Sequence, residues 1–476
     1  MEISYNGPAE LDVVPIPGSI VTCKFRLKAN PLKVRVDIAA HIYWKRNGPN
    51  STDVKCSNIE KVYSQKIDKI HEVKLFIPQY DTTKRIRSCI ILYLQGPVSF
   101  TTKAEVEDID LSVNINTPII TGNVINFYQK VVRRSGYGIL GNTIYNGFLR
   151  RKDWFIYNIL STNTEINISK IALILGVPTT FFKVPTSKIT IGYTMFETIN
   201  KIPMSWISGC NIVDRIFVPI KSNISSFKSC GVLKPIDHIP IGIDITLYNP
   251  TEVGKNFNFP STVQNAYKFL IINDNQPRKN NWMIIKAIGE EFNNEIKKGE
   301  VVLITRLCYG KKQINESYVY HIKRYLEDSE MPLLINSCDC MVNVSSGECG
   351  DIPILQGMAM EKPVVISDDK LLHTEIIEDS YSKYGKTGFL VDIEKYEEAY
   401  TNPRYSSARS SYMASLSNSQ WIVPDIIDLK KKLRYVYDNR NGDEIKQVGI
   451  NARRYILDDR TIDVTVSKMI NIFGLL

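Results

Sequence analysis

The chain has 476 residues, 43% of them apolar, and a formal net charge of +9. That composition is globular and long enough for two or three domains, and with no run of about 18 apolar residues it excludes a membrane-spanning helix. The positive charge fits an anionic ligand, an acidic membrane surface or nucleic acid. The basic clusters are short, however: Arg133-Arg134, Arg150-Arg151-Lys152 and Lys430-Lys431-Lys432. None has the interleaved aromatics of a nucleic-acid stripe, so no nucleic-acid partner is expected. The opening MEISYNGPAELDVV has no charged stretch followed by an apolar one, and no secretory signal is expected. Nine cysteines, an odd number without framework spacing, read as reduced thiols of a cytoplasmic protein. Cys338 and Cys340 stand too close together for a zinc knuckle and read as core residues.

Residues 1–115 alternate apolar and polar side chains in SIVTCKFRLKA (19–29), VRVDIAAHIYW (34–44), HEVKLFIP (71–78), SCIILYL (88–94) and AEVEDIDLSV (104–113), with turn-rich stretches between. Short alternating strands at this spacing predict an antiparallel β-sandwich. From about Ile119 strands alternate with helices. The strands are IITGNVINFY, WFIYNIL (154–160), IALIL (171–175), KITIGY (188–193) and RIFVP (215–219). A polar linker follows at 248–262. A second set then runs through YKFLIIN (267–273), VVLIT (301–305), CMVNVS (340–345), PVVIS (363–367) and GFLV (388–391). Apolar strands alternating with amphipathic segments such as NNWMIIKAIGEEFNNEIK (280–297) predict parallel, doubly wound sheets. The expected architecture is α/β: two Rossmann-like domains, 119–250 and 262–476, facing a cleft and preceded by the sandwich. Open α/β sheets bind ligands at the carboxyl ends of their strands, so the loops there are the candidates.

Three such loops carry polar chemistry. In RRSGYGILGNTIYNGFL (133–149), Gly136 and Gly138 let backbone approach a ligand, and a helix predicted from about Ile139 offers free N–H groups; a plain strand-to-helix turn explains the segment equally well. In NDNQPRKNNW (273–282), Arg278 and Lys279 fall at the start of a predicted helix, where cations oppose the helix dipole unless an anion is bound. The third, SSGECGDIPILQGMAME, places Glu348 in a loop and Gln356 one turn into a helix that has Pro353 near its start. A carboxylate and an amide suit sugar hydroxyls, and the backbone N–H groups of Gly350, Asp351 and Ile352 suit a phosphate.

With those residues in view, 120–476 resembles glycosyltransferases of family 4, which have the two-lobed GT-B fold. The family signature Glu-Gly-x-Gly-Leu-Pro-x-Leu-Glu-Ala-Met-Ala is read here as Glu348-Cys349-Gly350-Asp351-Ile352-Pro353-Ile354-Leu355-Gln356-Gly357-Met358-Ala359, followed by Pro363-Val364. GYTMFETINKIPMSW (192–206), HIPIGID (238–244), PRKNNWMIIKAI, HTEII (373–377), TGFLVD (387–392) and WIVPD (421–425) resemble further family segments. The resemblance implies transfer of a hexose from a nucleotide-diphosphate sugar with retention at the anomeric carbon. It implies no required metal and no cofactor, and last helices that cross back to the first lobe. It implies that Glu348 binds the donor sugar and that Arg278 and Lys279 neutralise the diphosphate. Gln356 stands where the family glutamate holds the ribose, a departure that keeps hydrogen bonding but loses charge. Glu375 matches an acidic position beside the donor, and Gly136-Tyr137-Gly138 matches the loop near phosphates and acceptor. The first-lobe His of many relatives is missing, and Glu197 is the nearest polar candidate. Residues 1–115 more loosely resemble jelly-roll carbohydrate-binding modules, with His41, Tyr43 and Trp44 as candidates to stack on sugar. The expected partners are a nucleotide-sugar donor and a glycan or lipid-linked acceptor, with peripheral membrane contact through Arg150-Arg151-Lys152 as one way to reach the latter. The alternative is a catalytically weak sugar- or nucleotide-binding protein, motivated by Gln356 and the missing His.

Overall fold

The computed structural model describes residues 123–129, 136–151, 154–159, 170–183, 189–252, 257–307, 316–324, 326–399 and 419–475, together with the backbone of strands within residues 2–114. The side chains of His41, Tyr43 and Trp44, and residues Arg133, Arg134 and Lys152, lie outside the described residues. The chain divides into two compact units. One comprises Met1–Gln129, Phe148–Leu173 and Pro185–Lys188, and the other comprises Lys130–Gly147, Ile174–Val184 and Ile189–Leu476.

In the first unit, strand Ile20–Ala29 pairs antiparallel with Ile70–Phe76 and with Lys103–Asn114, and Arg35–Lys45 pairs antiparallel with Thr52–Cys56 and Arg85–Gln95. A sandwich is defined by which side chains meet between two sheets, and those side chains lie outside the described residues. The same unit contains the parallel pair β1 (Asn123–Gln129) and β2 (Trp154–Ile159), in register from Asn123 with Trp154 to Tyr128 with Ile159.

The larger unit contains two parallel arrays. β3 (Ile189–Tyr193), β4 (Arg215–Val218) and β5 (Ile236–His238) pair in that order. The second array is built from β6 (Tyr267–Asn273), β7 (Val301–Leu307), β8 (Val319–His321), β9 (Cys340–Asn343), β10 (Val364–Ser367) and β11 (Phe389–Val391). These line up as β8-β7-β6-β9-β10-β11, every pair parallel. Their near-continuous apolar runs follow from burial on both faces. One face is covered by Ile284 and Ile288 of a helix at Asn281–Glu291 and by Leu429 and Leu433 of a helix at Ile426–Asp438, which pack on Phe269, Ile271, Leu303 and Val342.

The helices of this unit are α1 (Gly136–Leu149), whose last two residues belong to the first unit, α2 (Met204–Ile212), α3 (Lys221–Ser229), α4 (Asn281–Glu291), α5 (Ile352–Ala359), α6 (Leu372–Tyr384), α7 (Ile426–Asp438), α8 (Asp443–Asp459) and α9 (Ile462–Phe473). α5 lies so close to β9 that a Cβ on Gly357 would fall 2.2 Å from Met341 Sδ. α9 docks on the segment after β5: Ile462 N–H donates to Ile243 O at 3.2 Å and Thr465 Oγ1 to Pro240 O at 2.8 Å. Among the described residues no helix is long and apolar enough to cross a membrane.

Three details depart from the sequence reading. α1 begins at Gly136, not near Ile139. Arg278 and Lys279 occupy a 3-10 turn, Pro277–Lys279, which Asn280 at φ +49° separates from α4; they therefore do not stack on that helix's first turn. The expected helix over 280–297 breaks at Phe292, whose ring is fully buried against the core, and resumes at Asn293–Lys297.

Candidate functional site

The carboxyl edge of β6, β9 and β10 gathers the polar residues of the second array, and local hydrogen bonding explains why. After β6, Asn280 in the left-handed conformation turns its side chain under the neighbouring loop, donating to Val344 O at 2.9 Å and Ser346 Oγ at 3.0 Å. Ser346 N–H returns a bond to Arg278 O at 2.7 Å. The 3-10 turn is thus fixed to the loop after β9, which sets Arg278 and Lys279 against Glu348. The free choice of a left-handed backbone at Asn280 is one that asparagine tolerates better than most residues.

Glu348 does not project from its loop. It is 3% exposed, and its Oε1 meets Lys279 Nζ directly and Arg278 Nη1 at 3.2 Å. Burial alone would raise this carboxyl, but the Lys279 ammonium and Arg278 guanidinium, with His373 behind them, hold it well below the ordinary carboxylate range. Arg278 also donates to Gly347 O at 2.7 Å and to Ser345 Oγ at 3.3 Å, and its Nε lies 3.5 Å from Glu197 Oε1. Arg278, Lys279, Glu348 and Glu197 therefore form one cluster.

The loop after β3 closes the cluster from the other array. Cys349 Sγ donates to Phe196 O at 2.6 Å, and Trp421 Nε1 donates to Glu197 O. Burial pushes the Cys349 thiol well above its ordinary value, which makes it a packing group and not a nucleophile. Tyr137 reaches the same loop: its hydroxyl accepts from Met195 N–H at 3.3 Å and lies 3.3 Å from Thr194 Oγ1. Burial raises the Tyr137 phenol, so it stays neutral. Gly136 is exposed, with nothing within 4 Å of the place a Cβ would take, whereas Gly138 is buried.

Of the three N–H groups assigned to a phosphate, those of Gly350, Asp351 and Ile352, the last is engaged within its own turn. Ile352 N–H already donates to Gly350 O at 2.9 Å, Pro353 has no N–H, and Ile354 N–H faces the capping Asp351 carboxylate at 3.5 Å. Gln356 is 7% exposed, one turn into α5. Glu375 belongs to a different cluster. Its carboxylate accepts from Lys221 N–H, at the start of α3, at 2.6 Å, and lies 3.3 Å from Arg460 Nη2 and 3.4 Å from His238 Nε2.

Two residues that the sequence reading did not assign complete the site from beneath. Asp369, fully buried, accepts from Glu348 N–H at 2.9 Å, and His373, also fully buried, reaches Asp351 Oδ2 at 2.8 Å. Burial pushes Asp369 up to about 6 against the pull of His373. Burial would lower His373, but Asp369 and Asp351 outweigh it and raise the ring above its ordinary value. The available signal was positional: both follow β10 at the same sheet edge.

Residues 272–402, the segment that contains Arg278, Lys279, Glu348 and Gln356, match the sequence profile of the family described as glycosyl transferases group 1. No curated protein matches the chain. Among solved structures the chain is similar to a TarM variant of S. aureus in complex with fondaparinux, alpha-GlcNAc-glycerol and UDP. The identity is 17%, with 70% of this chain and 58% of that one covered and a TM-score of 0.43. It is also similar to sucrose-phosphate synthase from Thermosynechococcus elongatus (9% identity, 74% and 98% covered, TM-score 0.49) and to an E. coli trehalose-6-phosphate protein bound with UDP-2-fluoro glucose (8%, 74% and 99%, 0.47). The chain thus spans 58% of the length of TarM.

Proposed function

We propose that this protein is a retaining glycosyltransferase that moves a hexose from a nucleotide-diphosphate sugar to a glycan, glycoprotein or lipid-linked acceptor. The observation that carries the reading is the convergence of Arg278 and Lys279 on Glu348 at the carboxyl edge of a parallel sheet, inside the segment that matches glycosyl transferases group 1. Transfer from such a donor expels a nucleoside diphosphate, and the main physical task is to stabilise charge developing on that leaving group. Two cations, 12% and 11% exposed, supply it from side chains alone, and no metal is part of the proposal. Donor phosphates compete with Glu348 for these cations and release its carboxylate to hydrogen-bond sugar hydroxyls. The side-chain amide of Gln356 is assigned to the ribose. Residues 119–250 are assigned to the acceptor lobe and 262–476 to the donor lobe.

The test is turnover of UDP-, GDP-, ADP- and TDP-glucose by the purified chain, with release of nucleoside diphosphate as the readout. NMR coupling at the anomeric proton of the transferred or hydrolysed sugar then reports stereochemistry. Release from one donor with the donor's anomeric configuration in the product is expected. The opposite anomer overturns retention, and no release from any donor overturns the enzyme reading.

A further inference from the structure

Beneath Glu348 runs a continuous buried polar chain that the proposed chemistry does not use. Asn273 donates to Asn281 Oδ1 at 3.1 Å and to Asn343 Oδ1 at 3.2 Å, and Asn343 donates in turn to Asp351 Oδ2. The same Asp351 oxygen meets His373 Nε2 at 2.8 Å. On the other side of the ring, Nδ1 lies 3.3 Å from Ser367 Oγ and 3.8 Å from Asp369 Oδ2. Asn273, Asn281, Asn343, Asp351, Ser367, Asp369 and His373 are all at most 5% exposed.

The acceptors on either side of the ring favour one protonation state. Ser367 Oγ gives its proton to Ser345 O at 2.5 Å, so toward His373 it can only accept. Asp351 Oδ2, already accepting from Asn343, likewise accepts from Nε2. A ring that donates from both nitrogens, an imidazolium, satisfies both acceptors. It lies between two buried carboxylates, Asp351 and Asp369, and no Lys or Arg pairs with either one among the described residues. The third ionisable group near the ring, Glu348, has its own cations.

These two carboxylates grip both ends of the signature loop. Asp369 takes Glu348 N–H, while Asp351 caps α5, and Leu372 N–H donates to Glu348 O at 3.0 Å. We propose that His373 is a positioning residue: its imidazolium ties Asp351 to Asp369 and so holds the Glu348 loop against Arg278 and Lys279. Its effect on turnover rests on the glycosyltransferase reading; its effect on the loop does not. A glutamine there can replace one donor bond but neither the second nor the charge.

The test uses the full chain and His373→Gln, with His373→Ala as a second variant. In the 15N-labelled protein, both ring nitrogens of His373 should show protonated shifts at pH 7; a neutral ring with one bare nitrogen overturns the proposal. Hydrogen exchange of peptides spanning 345–351 should quicken in both variants while the β6 and β7 peptides keep wild-type rates. Unchanged exchange at 345–351 overturns it, and quickening everywhere reduces His373 to a general fold residue and overturns it as well. With the donor that the chain turns over, His373→Gln should lower kcat by about a hundredfold, the scale of a misplaced reacting group, while affinity for the matching nucleoside diphosphate stays within about twofold. Equal loss of both contradicts a positioning role. If no nucleotide sugar is turned over by wild type, the glycosyltransferase reading falls, and ring protonation with loop exchange still decides the clamp.

Discussion

Replacing Lys279 by Met should expose the energetics of the site most clearly. Glu348 has a side chain only 4% exposed, and its nearest cation is the Lys279 ammonium. Breaking a buried pair by removing one partner costs about 3–5 kcal/mol, because the other charge stays buried. Arg278 Nη1 remains 3.2 Å away, which places the expected cost of Lys279→Met near the lower end, about 3 kcal/mol. Glu348→Gln leaves Lys279 and Arg278 at the edge of solvent, with Arg278 still facing Glu197, and should cost about 2 kcal/mol. The two residues share one interaction, so the double variant should cost about 3 kcal/mol, not the sum, a coupling of about 2 kcal/mol. Native-state hydrogen exchange of peptides covering 340–360 reads the opening free energy of this region in a chain whose global unfolding need not be two-state. A double variant whose cost equals the sum of the singles would refute the buried pair. In the same variants kcat should fall about a hundredfold or more, as when one charge-stabilising group is lost from an active site.

Gly347→Ala places a Cβ 2.6 Å from Glu197 O and 3.0 Å from the Trp421 ring, and because backbone must yield, a cost of about 1–3 kcal/mol and a matching fall in melting temperature are expected. Arg460→Met removes a 2% exposed guanidinium that donates to Tyr455 OH at 2.6 Å and pairs with Glu375, and should cost about 3 kcal/mol in thermal unfolding. Glu348 and Asp369 should act oppositely with pH. The lowered Glu348 carboxyl contributes stability that is present above the ordinary carboxylate value and lost as pH falls below it. Asp369, raised to about 6, lets the folded chain hold a proton that the unfolded chain releases, so stability falls as pH rises from about 4 to 6. Asp369→Asn should flatten the melting temperature over that window. Gln356→Glu separates the two functional readings: a large gain in turnover with little change in affinity marks a site compromised by the amide, whereas lost turnover marks the amide as the working ribose ligand.

Most strands of the α/β region were legible because burial on both faces leaves an unbroken apolar run, as in YKFLIIN and VVLIT, which no helix of that length needs. β5 and β8 were not, since IDH and VYH are short and lack the unbroken apolar run that marks the equally short FLV of β11. At the site, the charged residues of one loop and one turn could be placed at the carboxyl edge of the sheet from their positions after β6 and β9, though not paired with each other. Their depth could not: Glu348 between two small residues reads as exposed, and only the Lys279 and Arg278 contacts make its burial tolerable. His373 was hidden for the same reason, because its partners Asp351 and Asp369 stand 22 and 4 positions away and meet only when α5 and α6 start side by side. Glu375, placed by resemblance beside the donor, has contacts that no pattern in its own segment showed, with Lys221 N–H and Arg460.

The central claim is that Arg278, Lys279 and Glu348 receive a nucleotide-diphosphate sugar. It is tested most directly by thermal shift of the purified chain and of Lys279→Met against UDP-, GDP-, ADP- and TDP-sugars without added metal. A ligand at a hundred times its Kd adds about 2.7 kcal/mol of stability. One nucleotide sugar should raise the melting point of wild type by several degrees and that of Lys279→Met far less. Equal shifts in the two proteins, or none in either, would contradict the account.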